Sequence, residues 1–418
     1  MRMYRVGFGD LFLLTFSSQK NSAHVLVDCG VHAKPTGSIG AAVDQLAAET
    51  NKHLALIIVT HRHADHISGF ALEAEKFAGF TVDRIWMSWF ENPAEPTAVA
   101  LQTNLAKVAR SLQLAFAARG TGDNQYALMA ENATGALDAA GTSLNGQALA
   151  VIHGGFANKP PIDYLKAGDP AVLPPSLSDM GVTAQILGPP IDPKLISQMD
   201  SKTHQYLDRL EADAGAQSDA GPVFDPAFIS DPASFVCEGF TAADLRAMQQ
   251  RVASSQPDVV QAIAQQTDNT LNNQSLVTLF QFAGKKLLFA GDAQWGNWQN
   301  FLFGGAFGTP GHSTLCADAG AILGSIDFYK VGHHGSTNAT PIDALEAMKA
   351  GVAAMCSTAE HAYNQVPRGP LLEALKTKSG GKLARSDQVA VDGVPATGDP
   401  LNAAFSTPTH KLFIDYLL

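Results

Sequence analysis

The chain has 418 residues, of which 46% are hydrophobic, and this suits one large domain with insertions or two domains. Its 39 acidic and 28 basic side chains give a net charge of −11, which argues against a large nucleic-acid-binding surface but not against a small anionic substrate or short nucleic acid. The four cysteines lie far apart without a CxxC pair, so we expect reduced thiols and a cytoplasmic protein. The opening MRMYRVGFGDLFLLTF is interrupted by glycine and aspartate, so we expect neither a signal peptide nor a membrane helix, and no membrane partner.

The N-terminal residues predict three short strands, MYRVG, LFLLTF and HVLVDCG, separated by turn residues. A helix is predicted at residues 39–52, followed by the strand LALIIVT, the short helix ALEAEKFAG and the strand DRIWMSW. This alternation of strands and helices predicts an α/β sandwich whose functional residues lie on loops at strand ends.

The middle of the chain has a different pattern. Residues 97–118 are rich in alanine with helical spacing, and VTAQILGPP at 182–190 predicts a single strand before another helix-like stretch. We therefore predict helical insertions at about 91–175 and 191–268. They could form a lid over a site, or a surface for a partner protein or for self-association.

The last third resumes the first pattern. SLVTLFQFAGKKLLFAGD predicts two strands joined by a turn, and WGNWQNFLF predicts a helix. SIDFYKVGHHGST predicts a strand that runs into a histidine pair, GVAAMCS a further strand, and PLLEALKTK a helix. The sequence thus predicts a single domain over 1–418, with a core formed by 1–90, 269–418 and the strand 182–190.

The stretch IIVTHRHADHISGF places three histidines and an aspartate within six positions, directly after a strand. Crowded imidazoles repel one another when protonated and need partners when buried, and a divalent metal removes both difficulties. His61 and His63 are two residues apart, so they point the same way in an extended chain and can bind one metal. Asp65 and His66 follow as the loop turns into a helix and can reach a second metal. Two metals with a bridging water suit hydrolysis, because they lower the pKa of that water.

Later strand ends supply further ligands. LLFAGD places Asp292 after an apolar strand, where its carboxylate could bridge two metals. YKVGHHGS places His333 and His334 at another strand end, and adjacent side chains on a strand face opposite ways, so one of the two is expected to bind metal. We favour His333 as the ligand and His334 near the substrate, and the reverse assignment stays open.

The predicted site has two divalent ions, with zinc preferred over manganese or iron. The predicted metal ligands are His61, His63, Asp65, His66, Asp292 and His333, and the predicted catalytic residues are Asp65 and His334.

Three further polar residues lie close to these motifs. Asp28 either orients a ligand imidazole or caps a turn, and Asp10 is interpreted as a turn residue. Lys330 either binds a phosphate or carboxylate or faces solvent.

The HxHxDH motif from His61 to His66 resembles that of the metallo-β-lactamase fold hydrolases. The segments VGFGD, VLVDCG, NNQSLV and HHGS resemble, more narrowly, the branch containing the hydrolase domain of bacterial competence DNA-uptake channel proteins. The resemblance covers residues 1–90 and 269–418, and it implies a four-layer αβ/βα sandwich with helical insertions. It also implies hydrolysis by a metal-bound hydroxide, acting on phosphodiester bonds of nucleotides or short nucleic acid.

The sequence also departs from this resemblance. Many relatives carry a third histidine between the loop and the aspartate, and here that interval contains only His153 and His204. The third ligand is therefore His153, Asn273 of NNQSLV, or a water. The late YGHP segment of relatives reads YNQVP here, with His361 as a possible substitute in substrate contacts.

Two other functions remain open at this point. The same chemistry would hydrolyse a lactam, lactone or thioester. A catalytically weak binding or regulatory protein is a different class, in which the insertions hold a partner.

Overall fold

The computed structural model describes residues 1–19, 21–32, 38–119, 133–138, 141–198, 200–201, 203–206, 267, 270–360, 362, 366–390 and 396–418. Within these ranges the chain forms two mixed β-sheets with helices packed on them. The strands are β1 (Arg2–Tyr4), β2 (Leu11–Ser17), β3 (Ser22–Cys29), β4 (His53–Val59), β5 (Thr81–Ser88), β6 (Ile162–Leu165), β7 (Thr183–Gly188), β8 (Val277–Phe282), β9 (Lys285–Phe289), β10 (Phe328–Lys330), β11 (Ala353–Cys356), β12 (Leu383–Arg385), β13 (Phe405–Ser406) and β14 (Phe413–Tyr416).

The first sheet has the order β13-β14-β1-β2-β3-β4-β5-β6. Its strands from β13 to β3 pair antiparallel, and those from β3 to β6 pair parallel. The second sheet has the order β12-β11-β10-β9-β8-β7, in which β9 to β12 are parallel and β7, β8 and β9 pair antiparallel. Each sheet therefore contains a block of four adjacent parallel strands, whose carboxyl ends lie together at one edge.

Helices join and cover the strands. Among the described helices are Ile39–Thr50, Ala64–Leu72, Ala74–Phe77, Pro96–Arg119, Leu144–Gly154, Pro175–Ser178, Pro193–Ile196, Trp295–Phe303, Ala317–Leu323, Ile342–Ala347 and Gly369–Ser379. Single turns of 3-10 helix occur at Trp89–Glu91 and His333–Gly335. None of the helices in these ranges combines the length and the apolar character needed to cross a membrane.

The two sheets pack face to face through alternating apolar side chains. In β2, Phe12 and Leu14 point to the core between the sheets, where they meet Phe280 and Phe289 of the second sheet. The intervening Leu13 points to the other face, where the helices Ile39–Thr50, Ala64–Leu72 and Leu144–Gly154 contribute to a second core. A third core lies between the second sheet and helices such as Trp295–Phe303. The two mixed sheets agree with the predicted α/β sandwich.

Some elements differ from the prediction. The helix expected at 71–79 is two helices, Ala64–Leu72 and Ala74–Phe77, because the chain becomes helical directly after His63. Ile162–Leu165, within the stretch predicted as an insertion, is the edge strand β6 beside β5. The four-residue length and mixed burial of β6 give little periodic signal.

The C-terminal strand β14 pairs with β1, a long-range contact that local sequence patterns do not specify. Of the second predicted insertion, 191–268, the described parts are 191–198, 200–201, 203–206 and 267. The remainder of that prediction lies outside the described residues.

Candidate metal centre

The candidate site lies where the carboxyl ends of parallel strands from both sheets meet. Asp28 is near the end of β3, and the loop from His61 to His66 follows β4. Asp292 follows β9, and His334 follows β10. Loops at the carboxyl ends of parallel strands are the usual place for functional groups in α/β proteins, and here both halves of the chain contribute.

Two carboxylates and two imidazoles converge at this edge. Asp65, His66, Asp292 and His334 each place a ligand atom within 4.8 Å of the others. His66 Nε2 is 3.1 Å from Asp292 Oδ2, and His334 Nε2 is 2.9 Å from Asp65 Oδ2 and 3.5 Å from Asp292 Oδ2. Three of the side chains are almost fully buried, and that of Asp65 is 15% exposed. We call these four residues the Asp65 cluster.

The geometry places His334, rather than His333, in the Asp65 cluster. The strand ends at Lys330, and both histidines have positive φ values, 42° for His333 and 52° for His334, in a tight turn. The alternation expected for a strand therefore does not apply. His333 Nδ1 lies 2.7 Å from Ser336 Oγ and 3.0 Å from Asn338 Oδ1. The assignment of His333 as a metal ligand stays a prediction, and the geometry favours the reverse assignment.

Both histidines of the cluster are oriented by acceptors behind them. His66 Nδ1 is 2.7 Å from Asp28 Oδ2, and His334 Nδ1 is 2.8 Å from the carbonyl oxygen of Ser357. Protons on the two Nδ1 atoms satisfy these acceptors, so both Nε2 atoms face the cluster. Thr60 fixes Asp28 by donating its backbone N–H at 2.8 Å and its hydroxyl at 2.7 Å. Asp28 is thus an orienting carboxylate, one of the two roles considered from sequence.

The other two histidines of the loop lie beside this cluster. The rings of His61 and His66 are 4.2 Å apart between centroids, and His61 Nε2 is 3.1 Å from His63 Nδ1. Asn272 Oδ1 is 2.8 Å from His63 Nδ1. Ser275 Oγ is 3.2 Å from His61 Nδ1 and accepts the backbone N–H of Asp292 at 3.0 Å. The NNQS segment thus contacts the histidine loop through its first asparagine and its serine.

A buried lysine and aspartate lie behind the cluster. Lys330, whose side chain is 2% exposed, forms an ion pair with Asp10, and its Nζ is 3.7 Å from Asp292 Oδ1. Asp10 Oδ1 is also 3.7 Å from His334 Nδ1. The Lys330 side chain is therefore buried and paired rather than exposed to solvent, and Asp10 is more than the turn residue predicted.

Two glycines explain the VGFGD and VLVDCG segments. A Cβ atom on Gly30 would lie 2.3 Å from the carbonyl carbon of Asp65 and 2.4 Å from the nitrogen of His66. Gly9 has φ of 154°, and a Cβ atom there would lie 2.4 Å from the Gly30 oxygen. The backbone N–H of Asp10 donates to the Asp65 oxygen at 2.8 Å. The loop from His61 to His66 therefore packs against the backbone of Gly9 and Gly30 with no side chain in between.

The charges in the site shift its pKa values strongly. Burial opposes ionisation of His66, but Asp292, Asp28 and Asp65 outweigh it and raise the His66 pKa well above its usual value. Burial likewise lowers the pKa of His334, but Asp292 and its bond to Asp65 give a net raised value.

The carboxylates respond in the opposite direction. Burial would raise the pKa of Asp292, but the positive charges of His66 and His334 hold it well below the usual range. The pKa of Asp65 is lowered for the same reason. Without a metal, protons on His66 and His334 therefore balance the buried carboxylates.

The residues present fit a divalent cation. His66 Nε2 is buried and lies 3.1 Å from Asp292 Oδ2. It makes no hydrogen bond among the described residues. Imidazole nitrogens and carboxylate oxygens are the donor set of zinc, manganese and iron sites. A cation would take the place of the protons that the two histidines otherwise hold.

Other residues considered from sequence lie elsewhere. His153 is on the exposed face of its helix, with Nδ1 bonded to the Leu149 oxygen at 2.7 Å, and His204 contacts Asp343 and stacks on Trp295. The amide oxygen of Asn273 accepts hydrogen bonds from the backbone N–H groups of Gln294 and Asn297, so this oxygen is already engaged in holding the fold. His361 lies outside the described residues.

Sequence reasoning did not single out Asn272 or Thr60. The Asn-rich segment contained the signal for Asn272, but the choice between two adjacent asparagines needed the backbone direction. A threonine directly before the first histidine carried no distinctive signal for its role behind Asp28.

No protein-family model matches this chain, and no curated protein matches it.

Proposed function

We propose that the protein is a metal-dependent hydrolase with a dinuclear site and the metallo-β-lactamase fold. The convergence of Asp65, His66, Asp292 and His334 at the meeting edge of the two sheets carries this proposal. Asp65, His66 and His334 would hold one ion, and His61 and His63 would hold the other with Asn272 beside them. Asp292, whose Oδ2 atom is 3.1 Å from His66 Nε2 and 3.5 Å from His334 Nε2, is the candidate bridge.

The chain's own residues prepare the site for this chemistry. Divalent ions supply Lewis-acid activation of water and of the scissile group when bound. Asp28 and the Ser357 carbonyl oxygen hold the His66 and His334 rings with Nε2 toward the cluster. Ser275 accepts the Asp292 N–H, which fixes the start of the loop that carries the candidate bridge. Rotation of the donor groups is thereby restricted before a metal enters.

The substrate class we propose is a phosphodiester in a nucleotide or short nucleic acid, with action in the cytoplasm. The sequence resemblance of VGFGD, NNQS and HHGS supports it, and the negative net charge favours small substrates. His333 and Asn338 are candidate substrate contacts, because they lie on the same turn as His334 and His333 is only half-buried.

A second candidate is hydrolysis of a lactam, lactone or thioester. One observation favours it. The two buried cationic side chains that adjoin the histidine motifs, Arg62 and Lys330, are already paired with Glu91 and Asp10. Recognition of a phosphate would then fall mainly to the metals, whereas a carbonyl substrate needs no additional cation.

The test is metal content together with a substrate panel. Protein purified without chelator should contain up to two transition-metal ions per chain, and it should hydrolyse a chromogenic phosphodiester faster than a chromogenic lactam, lactone or thioester. Asp292→Asn should abolish turnover, and Asp399→Asn, which alters an exposed carboxylate paired with Lys376, should leave it unchanged.

Each outcome separates the candidates. Preference for the carbonyl substrates would replace the phosphodiesterase proposal with the second candidate. Two bound metals without turnover on any substrate would favour a binding or regulatory protein. Absence of transition metal after reconstitution would refute the metal-dependent hydrolase altogether.

A further inference from the structure

Arg62 stands between His61 and His63, and its charged side chain is directed into the protein. Its guanidinium contacts Glu91 at two points, Nε to Oε1 at 2.8 Å and Nη2 to Oε2 at 2.6 Å. The two side chains are only 8% and 4% exposed. A buried guanidinium–carboxylate pair with two parallel hydrogen bonds admits little rotation, so it fixes the position of both residues.

The same arginine is tied to the stretch that follows β5. Arg62 Nη1 donates to the Ala136 oxygen at 3.1 Å, and Asn145 Nδ2 donates to the Arg62 oxygen at 2.6 Å. Side chain and main chain of Arg62 are therefore both held by residues of the stretch predicted as a helical insertion. These contacts fix the backbone between His61 and His63 on the side of the helical stretch.

A second support for His63 rests on the same stretch. A small apolar cluster joins the helix Pro96–Arg119 to the segment 133–138 and to the residue before Asn272. Its buried members are Phe90, Ala109, Ala133, Ala136, Leu137 and Leu271. Asn272 Oδ1 is 2.8 Å from His63 Nδ1. The helical stretch thus supports His63 both through Arg62 and through Asn272.

We propose that Arg62 and Glu91 are positioning residues that use this helical stretch to hold His61 and His63 in place for one of the two metal ions. The inference rests on the dinuclear site of the proposed function. The Asp65 cluster has different supports, Asp28, Lys330 and the Ser357 carbonyl oxygen. Loss of the Arg62–Glu91 pair should therefore weaken one metal site and spare the other.

The experiment titrates metal-free protein with Co²⁺, whose visible absorption reports the ligands of each ion, and measures the stoichiometry by elemental analysis. The variants are Arg62→Lys, which keeps the charge but not the two-point contact, and Glu91→Gln. The matched control is Arg84→Lys, at an ion pair between β5 and β6 in which Arg84 Nη1 is 2.7 Å from Asp163 Oδ2. Circular dichroism verifies that each variant is folded.

We expect the control to bind two ions as the unmodified protein does. The two variants should bind one ion normally and the other about 10–100-fold more weakly, the usual effect of removing a residue that orients a ligand. The absorption contributed by the weakened ion should be lost at low Co²⁺ and recovered at high Co²⁺.

Unchanged affinity for both ions in Arg62→Lys and Glu91→Gln would overturn this inference and leave the hydrolase proposal standing. Equal weakening of both ions would also overturn it, because the pair would then act on the fold as a whole. Absence of Co²⁺ binding by the unmodified protein would refute both proposals. If neither variant folds, Asn145→Ala replaces them, because it removes only the bond from the helical stretch to the Arg62 oxygen. Unchanged affinity of Asn145→Ala for the ion at His61 and His63 would overturn the inference.

Discussion

At the scale of single residues, the main feature of the site is the number of charged side chains that it buries. Asp10, Asp28 and Asp292 are almost fully buried, and each lies near a histidine or the ammonium group of Lys330. Burying an unpaired carboxylate costs several kcal/mol, so the cations nearby are needed for folding as well as for chemistry. A site constructed in this way holds a high density of negative charge that a divalent ion can use.

The first prediction separates the two histidines of the HHGS turn. His334→Ala should remove one of the two metal ions, because the His334 Nε2 atom lies between Asp65 and Asp292 and only water would replace it. His333→Ala should keep both ions and lower turnover, because His333 contacts Ser336 and Asn338 instead. Metal stoichiometry and turnover of both variants test this. Loss of an ion in His333→Ala with both retained in His334→Ala would restore the assignment favoured by the sequence.

The residues of this site were predictable in part. His61, His63, Asp65 and His66 were identifiable because three imidazoles and a carboxylate so close together in one loop are difficult to accommodate without a metal. Asp292 was identifiable from its place after an apolar strand. Strand alternation cannot decide between His333 and His334, because both residues have left-handed backbone conformations, which the sequence pattern does not reveal. Such strained positions are typical of functional sites, where tertiary contacts override local preference.

At the scale of elements, the site depends on how closely backbone segments approach one another. The loop after β3 contacts the first turn of the helix Ala64–Leu72 through Gly30. The apolar alternation of β2, β3 and β8 and the helix Trp295–Phe303 were predictable because their periodicity is strong. The edge strand β6 and the pairing of β14 with β1 were not, since short strands and long-range pairing leave little local signal.

The second prediction concerns this close approach. Gly30→Ala should destabilise the protein by about 1–3 kcal/mol or more, because the added methyl group meets the Asp65–His66 peptide, which cannot move without displacing both of these side chains. Metal affinity should fall together with the melting temperature. Gly154→Ala is the control, because a Cβ atom there has nothing within 4 Å. Equal behaviour of the two variants in thermal melts and metal titration would show that the loop does not rest on Gly30.

At the scale of the whole molecule, the two sheets bring together residues that are far apart in the chain. Asp65 and His334 are 269 positions apart and lie 2.9 Å from each other. The histidine loop comes from the first sheet, and Asp292 and His334 come from the second. A metal that binds both groups therefore joins the two halves, so metal binding and global stability should be coupled.

The last prediction follows from this coupling and from the pKa shifts. In the metal-free protein the pKa values of His66 and His334 are raised, so their ion pairs stabilise fully below about pH 6.5, the unfolded value, and this contribution is lost as the pH rises through the raised values. The pKa values of Asp65 and Asp292 are lowered, so their contribution is present above about pH 4 and is lost only as the pH falls toward those lowered values. Metal binding has the opposite dependence, because both histidines must lose a proton to bind a cation, and affinity therefore rises with pH.

The difference in melting temperature between metal-loaded and chelator-treated protein should accordingly grow from pH 6 to pH 8.5. Thermal melts of both forms over this range measure it. Asp83→Asn serves as the control, because it alters a partly exposed carboxylate paired with His53 and should leave the pH dependence of this difference unchanged. A difference that is constant or shrinks with rising pH would mean that His66 and His334 do not exchange protons for metal. The proposal that a cation replaces the protons of the Asp65 cluster would then be wrong.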